Sequence, residues 1–158
     1  MRWKPTHDVT TITNPITVDH TVLRQHLLPG LLKLLATNRH HDLPQSVYEL
    51  GTVVRDHQNA ERLAFLTAER SGGFAAVRGR VQAFCKDLGV TNWEVEPLEA
   101  GDGPWLAGRG AKLVINGSWV GCFGELDPAV SSTYDLRVPL NGAEFDVNAL
   151  MAAAIDPV

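Results

Sequence analysis

The chain has 158 residues, of which 44% are hydrophobic and 20% charged, and a formal net charge of −4 at pH 7. That length suits one domain with a hydrophobic core, and no apolar run is long enough to cross a bilayer or to form a signal-peptide core. The negative charge argues against a domain that chiefly binds phosphates, and the isolated Cys85 and Cys122 predict a reducing, cytoplasmic location.

The N-terminal part predicts a short strand and a short helix. Residues 9–12 are all β-branched, which favours a strand. Asn14-Pro15 predicts a turn, because the helical region is disfavoured for a residue before proline. Thr17 or Asp19 can then cap a short helix that runs to about Gln25.

The next segment is rich in leucine. Proline is preorganised for the first turn of a helix, so a helix is predicted from Pro29 to about His40. Its apolar residues are Leu31, Leu32, Leu34, Leu35 and Ala36. On a helical wheel these leucines spread beyond one stripe, and a helix of about 12 residues is only ~18 Å long. We therefore expect one sheet face to leave part of this surface for a second partner.

Two strands and a second helix are predicted next. Residues 46–55 and 62–68 have the apolar pattern of paired strands, joined through a polar tip at residues 56–59. Apolar side chains recur at three- and four-residue intervals over residues 74–88, which predicts an amphipathic helix. Gly89 suits the left-handed conformation that ends a helix.

A second hairpin follows. A strand over residues 93–96 and a glycine-rich loop over residues 100–110 precede it. The hairpin pairs residues 111–115 with residues 118–123 around Asn116-Gly117, which is a strong signal for a two-residue turn.

The last predicted elements are two short helices and a strand. Asp127 caps a helix that has Pro128 in its first turn. Residues 143–147 predict a strand, and Asn148 is predicted to cap a terminal alanine-rich helix. Because helices interleave with hairpins, the predicted fold class is α+β, with a largely antiparallel sheet flanked by helices.

Several short motifs occur in an order and spacing typical of one family. They are Asn14-Pro15, Arg24, the Leu-Pro-Gly-Leu-Leu run at 28–32, Asn38, the Tyr-Glu-Leu-Gly run at 48–51, Gly73-Phe74, Gly79, Gly108-Arg109, Ala111, Val120-Gly121, the Gly-Glu-Leu run at 124–126, Pro128 and the Glu-Phe-Asp run at 144–146. In these residues the chain resembles the core domain of the phenylalanyl-tRNA synthetase beta subunit, of the archaeal and eukaryotic type. The resemblance covers about residues 9–151.

The resemblance implies the antiparallel sheet and flanking helices of the class II aminoacyl-tRNA synthetase catalytic core. In that family the beta-subunit copy of this core is inert and pairs with a catalytic alpha subunit in an (αβ)₂ assembly. ATP, magnesium and phenylalanine are bound by the alpha subunit, so this domain is expected to bind no cofactor or metal. We expect residues 14–158 to form this single core, with residues 1–13 as an N-terminal arm or first strand, as a fragment of a longer beta subunit.

Two arginines that class II cores use to activate amino acids are missing. The resemblance implies one in a Phe/Tyr-Arg-x-Glu stretch of the first long hairpin and another on a later glycine-rich helix. These cations offset charge that develops on the adenylate phosphate. Here the hairpin has Tyr48-Glu49, and residues 144–150 contain neither Gly-x-Gly-x-Gly nor arginine. A non-catalytic core is therefore predicted.

Three carboxylates are candidates for acid–base chemistry: Glu49, Glu125 and Glu144. We favour structural ion pairs for them instead. The arginines predicted to pair with them are Arg24, Arg62 and Arg109.

Other candidate sites are weaker. His40-His41-Asp42 with His57 is a possible metal cluster, but adjacent histidines point to different helix faces, so a polar helix end is favoured. Gly108-Arg109-Gly110 can cradle a phosphate, but a tight loop is favoured. A nucleic-acid role would depend on Arg78, Arg80 and Arg109, but solvation or ion pairing is favoured for these arginines. Cys85 is predicted to be buried in the core.

The leading hypothesis is a domain that docks the catalytic alpha subunit. The predicted interface comprises Arg24, Leu28, Pro29, Leu31, Leu32, Leu35, Asn38 and Glu49. Arg24 is the candidate for a buried interface ion pair. Contact with tRNA is expected only through the complex, no membrane is expected, and the isolated domain is a candidate for self-association. The alternatives are a tRNA-contact module and a stand-alone synthetase-like enzyme.

Overall fold

The computed structural model describes residues 9–13 and 22–154. The helices in this part are α1 (Leu28–Thr37), α2 (Phe74–Asp87), α3 (Pro128–Ser131) and α4 (Val147–Ala153), with a 3-10 turn at Ser132–Tyr134. The strands are β1 (Gln45–Arg55), β2 (Gln58–Ala68), β3 (Trp93–Pro97), β4 (Trp105–Ile115), β5 (Ser118–Leu126) and β6 (Leu140–Asp146). The predicted turn at Asn14-Pro15 and the predicted caps Thr17 and Asp19 lie outside the described residues.

The six strands form one sheet in the order β1-β2-β6-β5-β4-β3, and each neighbouring pair is antiparallel. This confirms the predicted α+β class with helices beside an antiparallel sheet. β6 inserts between the two hairpins, pairing with β2 on one side and with β5 on the other. As a result, the last strand of the chain occupies the middle of the sheet, and β1 and β3 form its edges.

Two-residue turns connect both hairpins. At Asn116-Gly117 the φ angles are 51° and 79°, as the predicted turn requires. At Asp56-His57 they are 50° and 63°, so this hairpin also turns in two residues, and β1 and β2 pair along their full length. The predicted polar tip at residues 56–59 was therefore too long.

Each face of the sheet has its own apolar core. On one face, α1, α3 and the 3-10 turn cover residues from β1, β2, β5 and β6, and on the other face α2 and α4 cover a second cluster. In the second cluster, Phe74 stacks on Phe123 and Phe84 on Phe145, with ring centroids 5.6 and 5.7 Å apart. Cys85 is fully buried there, as predicted.

The leucines of α1 are used inside the domain. Leu28, Leu31, Leu32 and Leu35 are at most 3% exposed, whereas Leu34 is 44% exposed. The four buried residues are spaced i, i+3, i+4 and i+7, which is a single helical stripe. The expectation that this helix presents surplus apolar surface to a second partner is therefore wrong. The helix is also shorter than predicted and ends at Thr37.

Other local predictions need correction. Residues 22–25 are not helical; Val22 instead forms an isolated bridge with Thr11. Residues 105–110 belong to β4, despite their glycines, because Trp105 pairs with Leu126 and Gly110 with Gly124 on β5, with a register shift between these two pairs. Asp127 caps α3 as predicted, but α4 is capped by Asp146, whose carboxylate accepts from the Ala149 N–H, and not by Asn148. Among the described residues no helix is long and apolar enough to span a membrane.

Candidate functional site

Glu144 lies in the middle of the sheet, directly below the first turn of α1. Its side chain is only 4% exposed. The backbone N–H groups of Leu27 and Leu28 donate to Oε2 at 3.1 and 3.2 Å. Because the first N–H groups of a helix lack internal partners, this carboxylate serves as an acceptor for the start of α1.

Three cationic or titratable side chains surround the other oxygen of Glu144. Oε1 lies 3.3 Å from Arg62 Nε, 3.6 Å from His26 Nδ1 and 3.8 Å from Arg55 Nη2. Burial alone would raise the pKa of Glu144, but the hydrogen bond and charge of His26, the charge of Arg62 and the Leu28 N–H outweigh it and lower the pKa. Burial and the neighbouring Arg62 lower the pKa of Arg55. The cluster is thus a compensated charge network between α1, β1, β2 and β6.

Glu49 forms a second, more exposed ion pair. Its Oε1 accepts from Arg24 Nη1 at 2.7 Å, and the two side chains are 31% and 48% exposed. Arg24 also donates from Nε to the Thr52 carbonyl at 3.0 Å and accepts from the Val54 N–H at 2.8 Å. Arg24 therefore covers the far end of the β1 edge. Within this chain the pair is partly solvated, so its burial in an interface stays a prediction.

The three candidate carboxylates do not converge. Glu125 lies on the α2 face of the sheet, where it accepts from the Phe74 N–H at 2.7 Å and lies 3.8 Å from Arg109. Glu144 lies on the α1 face. The prediction that these glutamates pair with Arg24, Arg62 and Arg109 is confirmed, and the structure gives the individual pairs: Glu49 with Arg24, Glu125 with Arg109, and Glu144 with Arg62.

The remaining predicted sites are not assembled in the described part of the chain. His40 and His41 lie before β1 and His57 lies after it, so the strand separates them, and no group of three metal-ligating side chains occurs among these residues. Arg80 pairs with Glu69 at 2.9 Å, and Arg78 is exposed on α2. Gly108-Arg109-Gly110 is part of β4.

An exposed apolar surface that was not predicted from the sequence lies on β1. Tyr48 and Leu50 are 79% and 62% exposed, on the side of the strand opposite Glu49. The Val54 N–H donates to the Arg24 carbonyl and not to β2. Because backbone groups alternate in direction along an antiparallel strand, the N–H and C=O groups of the other even-numbered residues of β1 also point away from β2. The edge from Ser46 to Leu50 has no partner strand among the described residues. Alternation of Tyr48 and Leu50 with inward residues was the available signal.

Comparison with known proteins gives a consistent result. The family profile of the phenylalanyl tRNA synthetase beta chain CLM domain matches residues 2–147. A phenylalanine–tRNA ligase beta subunit of Archaeoglobus fulgidus is 39% identical over 146 residues, covering 92% of this chain and 26% of that protein. One of Methanopyrus kandleri is 37% identical, covering 98% and 27%. The chain thus spans about a quarter of the length of these relatives.

The fold also matches a solved synthetase structure. A pyrrolysyl tRNA synthetase of Desulfitobacterium hafniense superimposes with a TM-score of 0.73 and 13% identity, covering 94% of this chain and 57% of that one. At this identity the match concerns the fold alone, and it confirms the expected synthetase-like architecture. Because the family profile matches nearly the whole chain, the chain belongs to the phenylalanyl tRNA synthetase beta chain CLM domain family.

Proposed function

We propose that this chain is the non-catalytic core domain of a phenylalanyl-tRNA synthetase beta subunit, of the archaeal and eukaryotic type. Its role is to dock the catalytic alpha subunit in the cytoplasmic, ATP-dependent attachment of phenylalanine to tRNA. ATP and magnesium belong to the complete enzyme. Family membership supports the setting, and the Glu144 network supports the absence of catalysis.

The part of the α1 face around Glu144 does not fit a nucleotide. Adenylate chemistry needs uncompensated cations near the reacting phosphate. Here Glu144 is already surrounded by Arg62, Arg55 and His26. The backbone N–H of Leu27, at the start of α1, donates to the same carboxylate. Opening this face would break the network and expose the leucine core. The expected result is no ATP–pyrophosphate exchange by the 158-residue chain, whereas exchange that requires phenylalanine would contradict the proposal and favour the stand-alone enzyme.

The side of β1 that carries Tyr48 and Leu50, called here the outer face of β1, is the surface that best suits docking. Obligate interfaces are large and apolar, and Tyr48 and Leu50 offer exposed apolar side chains beside unpaired backbone groups. Of the predicted interface set, Arg24, Pro29, Asn38 and Glu49 keep exposed surface and remain proposed contacts. Leu28, Leu31, Leu32 and Leu35 have almost no surface left to offer. In the absence of an alpha subunit, the same β1 edge is the proposed site of self-association.

The double variant Tyr48→Glu with Leu50→Glu is expected to weaken binding to an alpha subunit by at least about tenfold, because buried apolar anchors dominate such interfaces. Both side chains are solvent-exposed, so the fold should be retained. The measurement is co-purification of co-expressed subunits, followed by titration of purified subunits.

Leu34→Glu is the matched comparison, since Leu34 is an exposed leucine on the outer side of α1. Binding lost with Leu34→Glu and retained with the β1 double variant would place the interface on α1 and contradict the β1 assignment. The tRNA-contact alternative is less supported, because Arg80 and Arg109 already have carboxylate partners.

A further inference from the structure

A cavity of about 470 Å³ lies at the end of the sheet opposite the Asp56-His57 turn. It is bounded by the end of α1, the start of β1, the end of β2 and the segment that leads into β6. Cationic and imidazole side chains form one group of lining residues: Arg39, Arg70, Arg137, His40 and His41. An apolar group forms another: Leu35, Leu43, Leu136 and Val138. No part of the proposed docking surface on the outer face of β1 belongs to it.

Two of the arginines in this cavity have no carboxylate partner in the described part of the chain. Arg39 is paired, since its Nη1 lies 3.3 Å from Asp135 Oδ2. Arg70 and Arg137 form no ion pair or hydrogen bond with any residue in the described ranges 9–13 and 22–154. The remaining acidic residue of the lining, Asp42, is exposed and likewise forms no ion pair there. An acidic chain therefore carries a local excess of positive charge at this end.

The sheet brings these two arginines to the same place. The β2–β6 ladder pairs Ala68 with Leu140, and the Glu69 N–H donates to the Pro139 carbonyl at 3.2 Å. Arg70 leaves β2 and Arg137 approaches β6 just beyond this pair. Both side chains line the same cavity, so one anionic ligand in it can contact both guanidinium groups.

The opposite wall of the cavity is held by hydrogen bonds. The Gln45 side-chain amide donates to the carbonyl oxygens of Asn38 and His41, both at 3.0 Å. These contacts fix the path of the chain between α1 and β1. The Arg39–Asp135 pair joins this wall to the segment after the 3-10 turn. The cavity is therefore preformed on several sides, which lowers the cost of ordering it around a ligand.

We propose that this cavity binds a nucleoside monophosphate. Its volume lies within the range of about 300–1,000 Å³ that is typical of small-molecule sites. Arginine forks bind phosphate oxygens through paired, charge-assisted hydrogen bonds, which assigns the phosphate to Arg70 and Arg137. Of the apolar residues, Leu43 and Val138 are partly exposed and offer a surface for a base. Because Tyr48 and Leu50 do not line the cavity, its occupation does not depend on the proposed docking surface.

The test is calorimetric titration of the 158-residue chain with cytidine 5′-monophosphate at low ionic strength. Saturable binding is expected, weakened at least about tenfold by Arg70→Gln or by Arg137→Gln. The matched control is Arg78→Gln, an exposed arginine on α2 that lies outside the cavity lining, and it should bind as the unmodified chain does. Affinity should fall as salt is added, because salt screens exposed charges.

Cytidine and inorganic phosphate separate the two parts of the ligand. Cytidine is expected not to displace the nucleotide, and phosphate to displace it only at much higher concentration. Displacement by phosphate at the same concentration as the nucleotide would reduce the site to an ion site and overturn the proposal. Equal affinity in the three variants, or no saturable binding up to about 10 mM, would overturn it as well.

Discussion

Leu32→Asp is expected to unfold the domain. Leu32 is fully buried between α1 and the sheet, in the cluster that includes Leu66 and Leu140. Truncating a buried leucine to alanine costs about 2–5 kcal/mol, and an unpaired buried carboxylate adds several more. Such a sum approaches the whole stability of a typical domain, about 5–15 kcal/mol. Far-UV circular dichroism and urea unfolding measure the effect.

Leu34→Asp is the control for this prediction. It makes the same chemical change two residues away on the same helix, at a side chain that is 44% exposed. We expect its free energy of unfolding to change by no more than about 1 kcal/mol. If Leu32→Asp were to unfold at the same urea concentration as Leu34→Asp, the placement of Leu32 in the core would be wrong.

This pair of variants also decides how a docking experiment is interpreted. Loss of alpha-subunit binding by Leu32→Asp would follow from unfolding alone, so it says nothing about contact. Only variants at exposed positions, such as Tyr48 and Leu50, separate docking from folding.

The sequence predicted the local elements better than their boundaries. Asn116-Gly117 defines its hairpin because both residues adopt positive φ, and the apolar periodicity of residues 74–88 corresponds to α2. The extent of β4 was missed because its glycines suggested a loop, whereas the pairing of Trp105 with Leu126 and of Gly110 with Gly124 holds this segment against β5. Tertiary context overrides local propensity in this way.

The ion pairs of the candidate site could be predicted from the sequence, but the backbone contacts of the buried Glu144 could not. Predicting that the three glutamates pair with Arg24, Arg62 and Arg109 required only charge and residue type, and it did not say which glutamate pairs with which arginine. That Glu144 also accepts from Leu27 and Leu28 depends on contacts between residues more than 100 positions apart. The leucine helix is a different case, because the spacing of its buried leucines is visible in the sequence and only Leu34 lies outside their stripe.

Glu144→Gln is expected to destabilise the domain by about 3–5 kcal/mol, because it leaves buried cations without their anion. The glutamine oxygen can still accept from the start of α1, but its amide group would then face Arg62, Arg55 and His26, placing donors against donors. The control is Glu49→Gln at the partly exposed Arg24 pair, where a change below about 1 kcal/mol is expected.

The pH dependence of stability distinguishes this charge effect from a loss of packing. The folded state lowers the pKa of Glu144 below its ordinary value of 4.5, so unfolding takes up a proton as the pH falls. The stabilisation is fully present above that ordinary value and is lost as the pH drops through the folded pKa. Asn141 and Arg80 lower the pKa of Glu69, so acid also removes stability through Glu69. This contribution is the same in the unmodified chain and in Glu144→Gln, and it cancels in the difference between them. The difference in unfolding free energy between the unmodified chain and Glu144→Gln should therefore shrink on acidification below about pH 4.5. A difference that stays constant with pH would show that Glu144 contributes through shape rather than charge.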